Sequence, residues 1–320
     1  MSMLKKIIKA LNKNIEVDQW SVTEVCAKTY EQFFVLQKLE TARKTQTTEQ
    51  HVTLYKEYAV GDKKLLGSAS FIVSHELSGK ELNNKIEEAL YAAQFAKNPF
   101  FNLVEGTSKK SYKEKNKPNN PSELLQEIAQ TFISSSDETS KFNSLEVFYN
   151  EKEIHLVNSN GVNYKKDIYE INVEAIPSYT DEEIKTELYR MFKYRSVDMK
   201  KIKEDSLNAI NDVKLRAKAS KNDKHQKINV ILKDDNVKAM FRELVYSNTY
   251  DSVYRKSNYK SIGESLQDNP INPLNVSLIP ATKADYFDSD GVLLKETAII
   301  KNGVINDYFG SSRFASYLNM

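Results

Sequence analysis

The chain has 320 residues, which is enough for about two domains of ordinary size. Hydrophobic residues make up 40% and charged residues 28%, a composition that excludes a disordered tail or a fibrous repeat and indicates a globular protein. Forty-six basic residues against 44 acidic ones leave a net charge of +2, which does not predict a nucleic acid or an anionic surface as the partner.

Apolar runs and cysteine content restrict the cellular environment that we expect. The longest apolar runs, such as Phe71-Ile72-Val73, are far shorter than the ~20 residues that a membrane span requires. Lysines within the first ten residues interrupt the stretch where a signal peptide needs an uncharged segment. Cys26 is the single cysteine, so this chain alone can form neither a disulfide nor a cysteine metal cage. We therefore predict a cytoplasmic protein with no membrane segment.

The first third of the chain predicts a helix, a sheet and a second helix. Leucine and isoleucine recur at helical spacing within residues 1–13. Residues 20–74 are rich in Val, Thr, Tyr and Phe, which predicts antiparallel strands with a hairpin turn at Gly61-Asp62. Ser78 and Glu81 have the spacing of a capping box and precede a helical apolar pattern.

The middle third is also predicted to contain both helices and strands. Residues 107–121 hold five lysines and two prolines, which indicates a mobile, solvated loop before a helix that opens at Ser122. We expect two strands, at 145–149 and 154–157, separated by a polar turn, and a third strand at 164–176. Thr180 and Glu183 predict another capped helix through Phe192, followed by a helix over 199–219.

A polar stretch at 218–227 predicts a domain boundary, which gives an N-terminal α+β domain over 1–220 and a β-rich domain over 221–320. A strand is expected at 228–232. Asp234 or Asp235 is expected to cap a helix whose apolar stripe is fully buried. Turns at Asp290-Gly291 and Asn302-Gly303 separate the strands and loops that follow.

The histidines and the one calcium-like segment give no metal site by spacing. His75-Glu76 begins like a zinc-peptidase motif, but no second histidine follows one turn later, so we predict a surface or hinge role. His51, His155 and His225 have no histidine partner nearby in sequence and are interpreted as ordinary polar residues. Residues 288–291 resemble the middle of a calcium loop whose end positions are not carboxylates, so a turn is predicted.

A series of short segments, each weak alone, occurs in a specific order along the chain. These are Gly67-Ser68-Ala69, Ser74-His75-Glu76-Leu77, the stretch 86–101, Asn158-Ser159-Asn160-Gly161, Asp290-Gly291-Val292, the stretch 299–308 and the stretch 312–318. Together they resemble the TldD/PmbA family, also called modulators of DNA gyrase and classed with metallopeptidases. The resemblance implies an N-terminal α+β domain and a β-rich domain, within a dimer that encloses a cavity. The resemblance also implies a β-rich domain shorter than usual for the family, with three alternatives: it is incomplete at its C-terminus, naturally shortened, or supplied with strands by a partner.

The resemblance also locates a candidate metal site. The catalytic TldD branch carries H-E-x-x-x-H on the helix that opens the second domain, and here that helix reads Arg242-Glu243-Leu244-Val245-Tyr246-Ser247. The glutamate is matched by Glu243, while Arg242 and Ser247 occupy the histidine positions. A guanidinium has no lone pair for zinc, and a serine hydroxyl is a poor replacement for imidazole. Glu243 is therefore interpreted as a solvated or cavity-lining residue, with a catalytic role as the alternative.

Loss of these ligands is characteristic of the PmbA/TldE branch. The resemblance therefore implies a non-catalytic subunit of a TldD/TldE-type metallopeptidase that acts on small or unfolded peptides. No cofactor is expected in this chain, and zinc is expected only through a TldD-like partner, with a homodimer as the alternative assembly. Two other functions stay open: a peptide-binding or regulatory module without peptidase activity, and an active metallopeptidase with unconventional ligands.

Overall fold

The computed structural model describes residues 2–221, 227–233, 235–267 and 271–320. The helices are α1 (Met3–Lys13), α2 (Gly79–Ala93), α3 (Pro121–Ile133), α4 (Met199–Ala217), α5 (Asp235–Ser247), α6 (Tyr250–Tyr254) and α7 (Ser312–Tyr317). The strands are β1 (Gln19–Val35), β2 (Lys38–Val60), β3 (Lys63–Val73), β4 (Lys97–Pro99), β5 (Lys110–Tyr112), β6 (Ser140–Asn158), β7 (Asn163–Thr180), β8 (Lys185–Glu187), β9 (Arg190–Tyr194), β10 (Val276–Leu278), β11 (Thr297–Lys301) and β12 (Val304–Ile305). The α+β class is confirmed.

One large sheet organises the N-terminal part. Its strands run in the order β4-β3-β2-β1-β6-β7-β5, with β8 and β9 also paired to β7, and every pairing is antiparallel except that of β5 with β7. The strand β6 is continuous over 19 residues. The turn expected between 149 and 154 is therefore wrong, because β1 and β7 pair with β6 on both sides of that segment.

The sheet region has two sets of elements, which meet at the central pair β1 and β6. The first set runs from α1 through three strands to α2, and the second runs from α3 through the four strands β6 to β9 to α4. Each set has its own core on the sheet. The first lies beneath α1 and α2 and includes Ile7, Val52 and Ile86, and the second lies beneath α3 and α4 and includes Phe132 and Ile210.

The helix predicted from Thr180 to Phe192 is wrong. Residues 185–187 and 190–194 form β8 and β9 instead of a helix, because both pair with β7. The Asp181 side chain accepts from the backbone N–H groups of Glu183 and Ile184, which makes a turn where a capping box was expected. The helix α3 begins at Pro121 with Asn120 as its N-cap, one position before the predicted Ser122.

The lysine-rich segment 107–121 packs along the sheet. Its residues 110–112 form β5, which pairs with β7 in parallel. Lys117 makes ion pairs with Glu151 at 2.8 Å and also with Asp167. The prediction of a solvated loop is therefore wrong for these positions, because sequence pattern could not place the sheet's carboxylates beside Lys117.

The C-terminal part has a smaller sheet, in the order β10-β11-β12, with a core of Ile299, Ile300, Ile305 and Tyr308. The apolar stripe of α5 is only partly covered, since Met240 is 54% exposed, so the prediction of a fully buried face is wrong. Residues 228–232 lie within the described part but form no strand. Residues 222–226 of the predicted boundary and the candidate cap Asp234 fall outside the described residues, and the boundary stays a prediction.

The two parts meet along β6 and β7. Phe287 is buried against Leu156, Val162 and Tyr164, and the Tyr286 hydroxyl donates to the Lys165 carbonyl at 2.7 Å. Both predicted glycine turns are present, with positive φ at Gly291 and Gly303. No helix among the described residues has the length and apolar content needed to cross a membrane.

Candidate functional site

The helix α5 carries the three candidate residues Arg242, Glu243 and Ser247, which differ in their exposure to solvent. The side chains of Arg242 and Glu243 are 76% and 64% exposed, and Arg242 Nε lies 3.7 Å from Glu243 Oε1. Ser247 is buried, and its hydroxyl donates to the Leu244 carbonyl at 2.9 Å. Two of the three candidate residues therefore face solvent, and the third is turned back onto its own helix.

The chemistry of this set does not fit zinc. A guanidinium keeps its proton and offers no lone pair, and the Ser247 hydroxyl is already engaged with the backbone. Within the ranges that the structure describes, no three His, Cys, Asp or Glu side chains are grouped so that they could hold a metal ion. No reaction step through a metal is therefore assigned to α5.

A polar cavity of about 390 Å³, here called the junction cavity, lies between the large sheet and the C-terminal part. It is distinct from α5, since none of Arg242, Glu243 and Ser247 lines it. Its walls combine strand side chains with two C-terminal loops. The lining residues are Ser21, Thr23, His51, Thr53, Tyr55, Ser68, Ser70, Phe101, Leu103, Asn158, Ser289, Asp290, Ser311, Ser312 and Arg313.

The floor of the junction cavity is a row of polar side chains produced by strand register. Ser21 of β1 stands opposite both Asn158 of β6 and Thr53 of β2, and Thr53 stands opposite Ser70 of β3. Four neighbouring strands therefore place a polar residue at the same level. The hydroxyls of Thr53 and Ser70 are hydrogen-bonded at 2.8 Å.

Side chains alternate along a strand, so one face of the sheet packs in a core while the opposite face lines the cavity. Val22, Val52 and Leu54 are fully buried against α1 and α2. Their sequence neighbours point to the opposite face, because successive side chains of a strand alternate. The polar positions between these core residues, including Thr23 and Thr53, are therefore the ones that face the junction cavity.

The roof of the cavity is built around the turn at 288–291. Asp288 Oδ1 accepts from the backbone N–H groups of Asp290 and Val292, at 3.0 and 2.8 Å, and so holds the turn closed. Asp290 Oδ2 then accepts from the Ser311 hydroxyl at 3.0 Å and from both the backbone N–H and the hydroxyl of Ser312 at 2.9 Å. The turn that resembles a calcium loop thus fixes the segment that leads into α7.

Tyr55 is a part-buried aromatic residue of the cavity wall. Burial and the nearby Asp290 carboxylate raise the pKa of Tyr55 to about 12, while the Arg313 guanidinium acts in the opposite direction. The ring packs edge-on to Phe101, with centroids 5.9 Å apart. Tyr55 is therefore a protonated phenol at neutral pH and a hydrogen-bond donor or acceptor in this wall.

The structure agrees with the predicted role of His75 but gives His51 a place that the sequence did not predict. His75 is exposed between β3 and α2, in agreement with the predicted surface role, and His155 Nε2 lies 2.9 Å from Asn163 Oδ1. His51, interpreted as an ordinary polar residue, lines the junction cavity. His225 lies outside the described residues. The sequence could have indicated this position, because His51 and Thr53 are polar residues that alternate with the buried residues Val52 and Leu54 of the same strand.

Residues 225–320 match the family model of the PmbA/TldA metallopeptidase C-terminal domain. The C-terminal part of the chain therefore carries a domain of the TldD/PmbA family. No curated protein matches the chain. The resemblance drawn from the ordered short segments is confirmed at the level of the family.

Three solved structures share the fold of this chain. TldE from Thermococcus kodakarensis has a TM-score of 0.72 at 15% identity, covering 100% of this chain and 72% of its own. A DNA gyrase modulator from Thermotoga maritima has a TM-score of 0.74 at 11% identity, covering 99% and 73%. Another from Bacteroides thetaiotaomicron has a TM-score of 0.68 at 17% identity, covering 99% and 73%. At these identities the likeness concerns the fold.

Proposed function

We propose that this protein is a PmbA/TldE-like, non-catalytic subunit of a TldD/TldE-type metallopeptidase that acts on small or unfolded peptides in the cytoplasm. The observation that carries the proposal is that α5 offers no zinc ligands at Arg242 and Ser247, the positions that the family resemblance aligns with two histidines. Zinc would be supplied by a TldD-like partner. A glutamate such as Glu243 has no metal-bound water to activate unless that partner provides one.

The large sheet offers a place for an extended chain. Residues 50–60 of β2 pair with β3, whereas residues 38–49 pair with β1 on one side and with no other strand of the described chain. An open strand edge binds an extended peptide through backbone hydrogen bonds, which tolerates varied side chains. Such an edge supports a role in holding unfolded peptides.

The test is a peptidase assay with an unstructured peptide, performed on this chain, on a TldD-type subunit and on their mixture. We expect activity and stoichiometric zinc in the mixture and neither in this chain alone. Glu243→Ala in this chain should leave the activity of the mixture unchanged, and Arg242→Ala serves as a matched exposed control. Peptidase activity of this chain alone would contradict the proposal, and loss of that activity in Glu243→Ala would show that Glu243 is catalytic.

The junction cavity supports one alternative, a peptide-binding module with no peptidase activity, because it belongs to this chain alone. A tagged pull-down from the source cells separates the two functions. Recovery of a homologue with an intact H-E-x-x-x-H together with zinc supports the subunit. Recovery of this chain alone, or as a homodimer without zinc, supports the binding module.

A further inference from the structure

The side chain of Arg313, at the start of α7, is held in place by aromatic rings and one hydrogen bond. Its Nε donates to the Tyr317 hydroxyl at 2.9 Å. Its guanidinium carbon lies 5.4 Å from the ring centroid of Phe314 and 5.9 Å from that of Phe101. A guanidinium fixed by stacking and by Nε keeps both terminal nitrogens as a fork for a planar anion.

Within the described residues, no carboxylate pairs with this fork. The hydrogen bond of the Arg313 side chain there is made by Nε, which leaves Nη1 and Nη2 without an acceptor. The acidic residue of the cavity wall is Asp290, and its Oδ2 accepts three hydrogen bonds from Ser311 and Ser312. A guanidinium that lines a cavity with both terminal nitrogens unpaired favours an anionic ligand.

The rest of the cavity matches a small polar ligand. Its volume of about 390 Å³ lies in the range of ~300 to 1,000 Å³ that is typical of ligand pockets. Hydroxyls of Ser21, Thr23 and Ser68 can each donate and accept, so they suit the amide or hydroxyl groups of a ligand. His51 and Tyr55 are the other titratable groups of the wall, and neither is an anion at neutral pH.

We propose that the junction cavity binds a small ligand with a free carboxylate, which Arg313 holds through its two terminal nitrogens while the hydroxyl row binds the rest. The carboxyl end of a short peptide and a small organic acid share this chemistry. All residues that line the site belong to this chain. Ligand binding there can therefore be tested independently of the proposed peptidase role.

The test is calorimetric titration of the full chain with N-acetyl-trialanine as the free acid, the same peptide as its C-terminal amide, and succinate. We expect the acid to bind and the amide to bind at least ~10-fold more weakly, because the amide cannot pair with the guanidinium fork. Tighter binding of the peptide acid than of succinate assigns the site to peptide ends, and the reverse assigns it to organic acids.

Arg313→Lys keeps the positive charge but removes the fork, and we expect it to weaken binding of the acid by ~10-fold while leaving the amide unchanged. Arg195→Lys is the control, since Arg195 pairs with Glu170 at 3.0 Å and does not line the cavity. Equal binding of acid and amide by the unmodified chain, or no binding of any acid at millimolar concentration, would overturn the proposal. The acid-to-amide comparison needs no variant and so does not depend on the folding of one.

Discussion

The large N-terminal sheet and the C-terminal part differ in how many apolar side chains they bury. The long strands β6 and β7, of 19 and 18 residues, alternate buried with partly buried residues along much of their length, and two helix pairs cover the two cores. The C-terminal sheet has strands of 3, 5 and 2 residues, and its core has four buried side chains. Long ladders with covered faces make an autonomous unit, whereas the short ones rely on neighbouring surfaces.

This difference has a functional consequence. The rigid sheet supplies the floor of the junction cavity, and the C-terminal loops supply its roof, so the cavity exists only where the two parts meet. Residues that bind are expected on loops held by a rigid scaffold. The variants below test how independent the two parts are.

The largest effect is expected from Phe132→Ala in the second core of the large sheet. Phe132 is fully buried, and its ring lies 5.4 Å from Phe142 and 5.5 Å from Phe192. Removing the ring should lower the free energy of unfolding by about 3–5 kcal/mol in urea titrations. Phe95→Ala, at a position 72% exposed, is the matched control and should change little. Similar losses in both variants would contradict the assigned core.

A comparable substitution in the C-terminal part should have a local effect. Ile300 is 1% exposed in β11, and Ile300→Ala should cost about 2–5 kcal/mol within that part. Hydrogen exchange should show lost protection in 297–308 while β6 and β7 stay protected. Ile279→Ala, at a position 66% exposed, is the control. Equal loss of protection in the large sheet would show that the two parts unfold as one.

Gly67→Ala tests the close approach of β3 to the end of α2. A Cβ at this position would lie 2.2 Å from the Ala93 carbonyl oxygen and 2.7 Å from Tyr58 Cε2. The backbone must shift to relieve this overlap, and we expect a loss of about 1–3 kcal/mol in the free energy of unfolding. Gly79→Ala, where no atom lies within 4 Å of the added Cβ, should be near neutral in the same measurement. A neutral Gly67→Ala would contradict this packing.

Tyr286→Phe removes one hydrogen bond across the contact between the two parts. The Tyr286 hydroxyl donates to the Lys165 carbonyl at 2.7 Å, so its loss should cost about 1 kcal/mol in thermal or urea unfolding. Tyr259→Phe is the control, because Tyr259 is 62% exposed. If both variants unfold like the unmodified chain, this hydrogen bond does not stabilise the contact.

The smallest effect is expected from Asp137→Asn and depends on pH. The Lys214 ammonium, which donates to Asp137, holds the pKa of that carboxyl below its usual value of 3.8. A lowered folded-state pKa contributes stability above the unfolded-state pKa, and this contribution is lost as pH falls through the folded-state pKa. Since both side chains are partly exposed, the variant should be less stable by under about 1 kcal/mol at pH 7. Urea titrations should show the difference shrinking below pH 4, and a difference independent of pH would contradict the ion pair.

Sequence pattern was most reliable where local chemistry decides structure. The Ser78 and Glu81 capping box forms as predicted, because both of its hydrogen bonds lie within four residues. The equivalent pattern at Thr180 and Glu183 failed, because β7 offered a long edge with which residues 185–194 pair. A pairing partner distant in sequence overrides a local helix signal.

The sequence by itself determined the class and the family resemblance, since both depend on residue types and their order along the chain. Only the tertiary structure decided which side chains meet. The polar row exists because antiparallel register aligns Asn158, Ser21, Thr53 and Ser70, which come from four different strands. Arg313 lines the same cavity because a turn and a short helix fold the C-terminal part onto the sheet, and no local sequence pattern predicts this long-range arrangement.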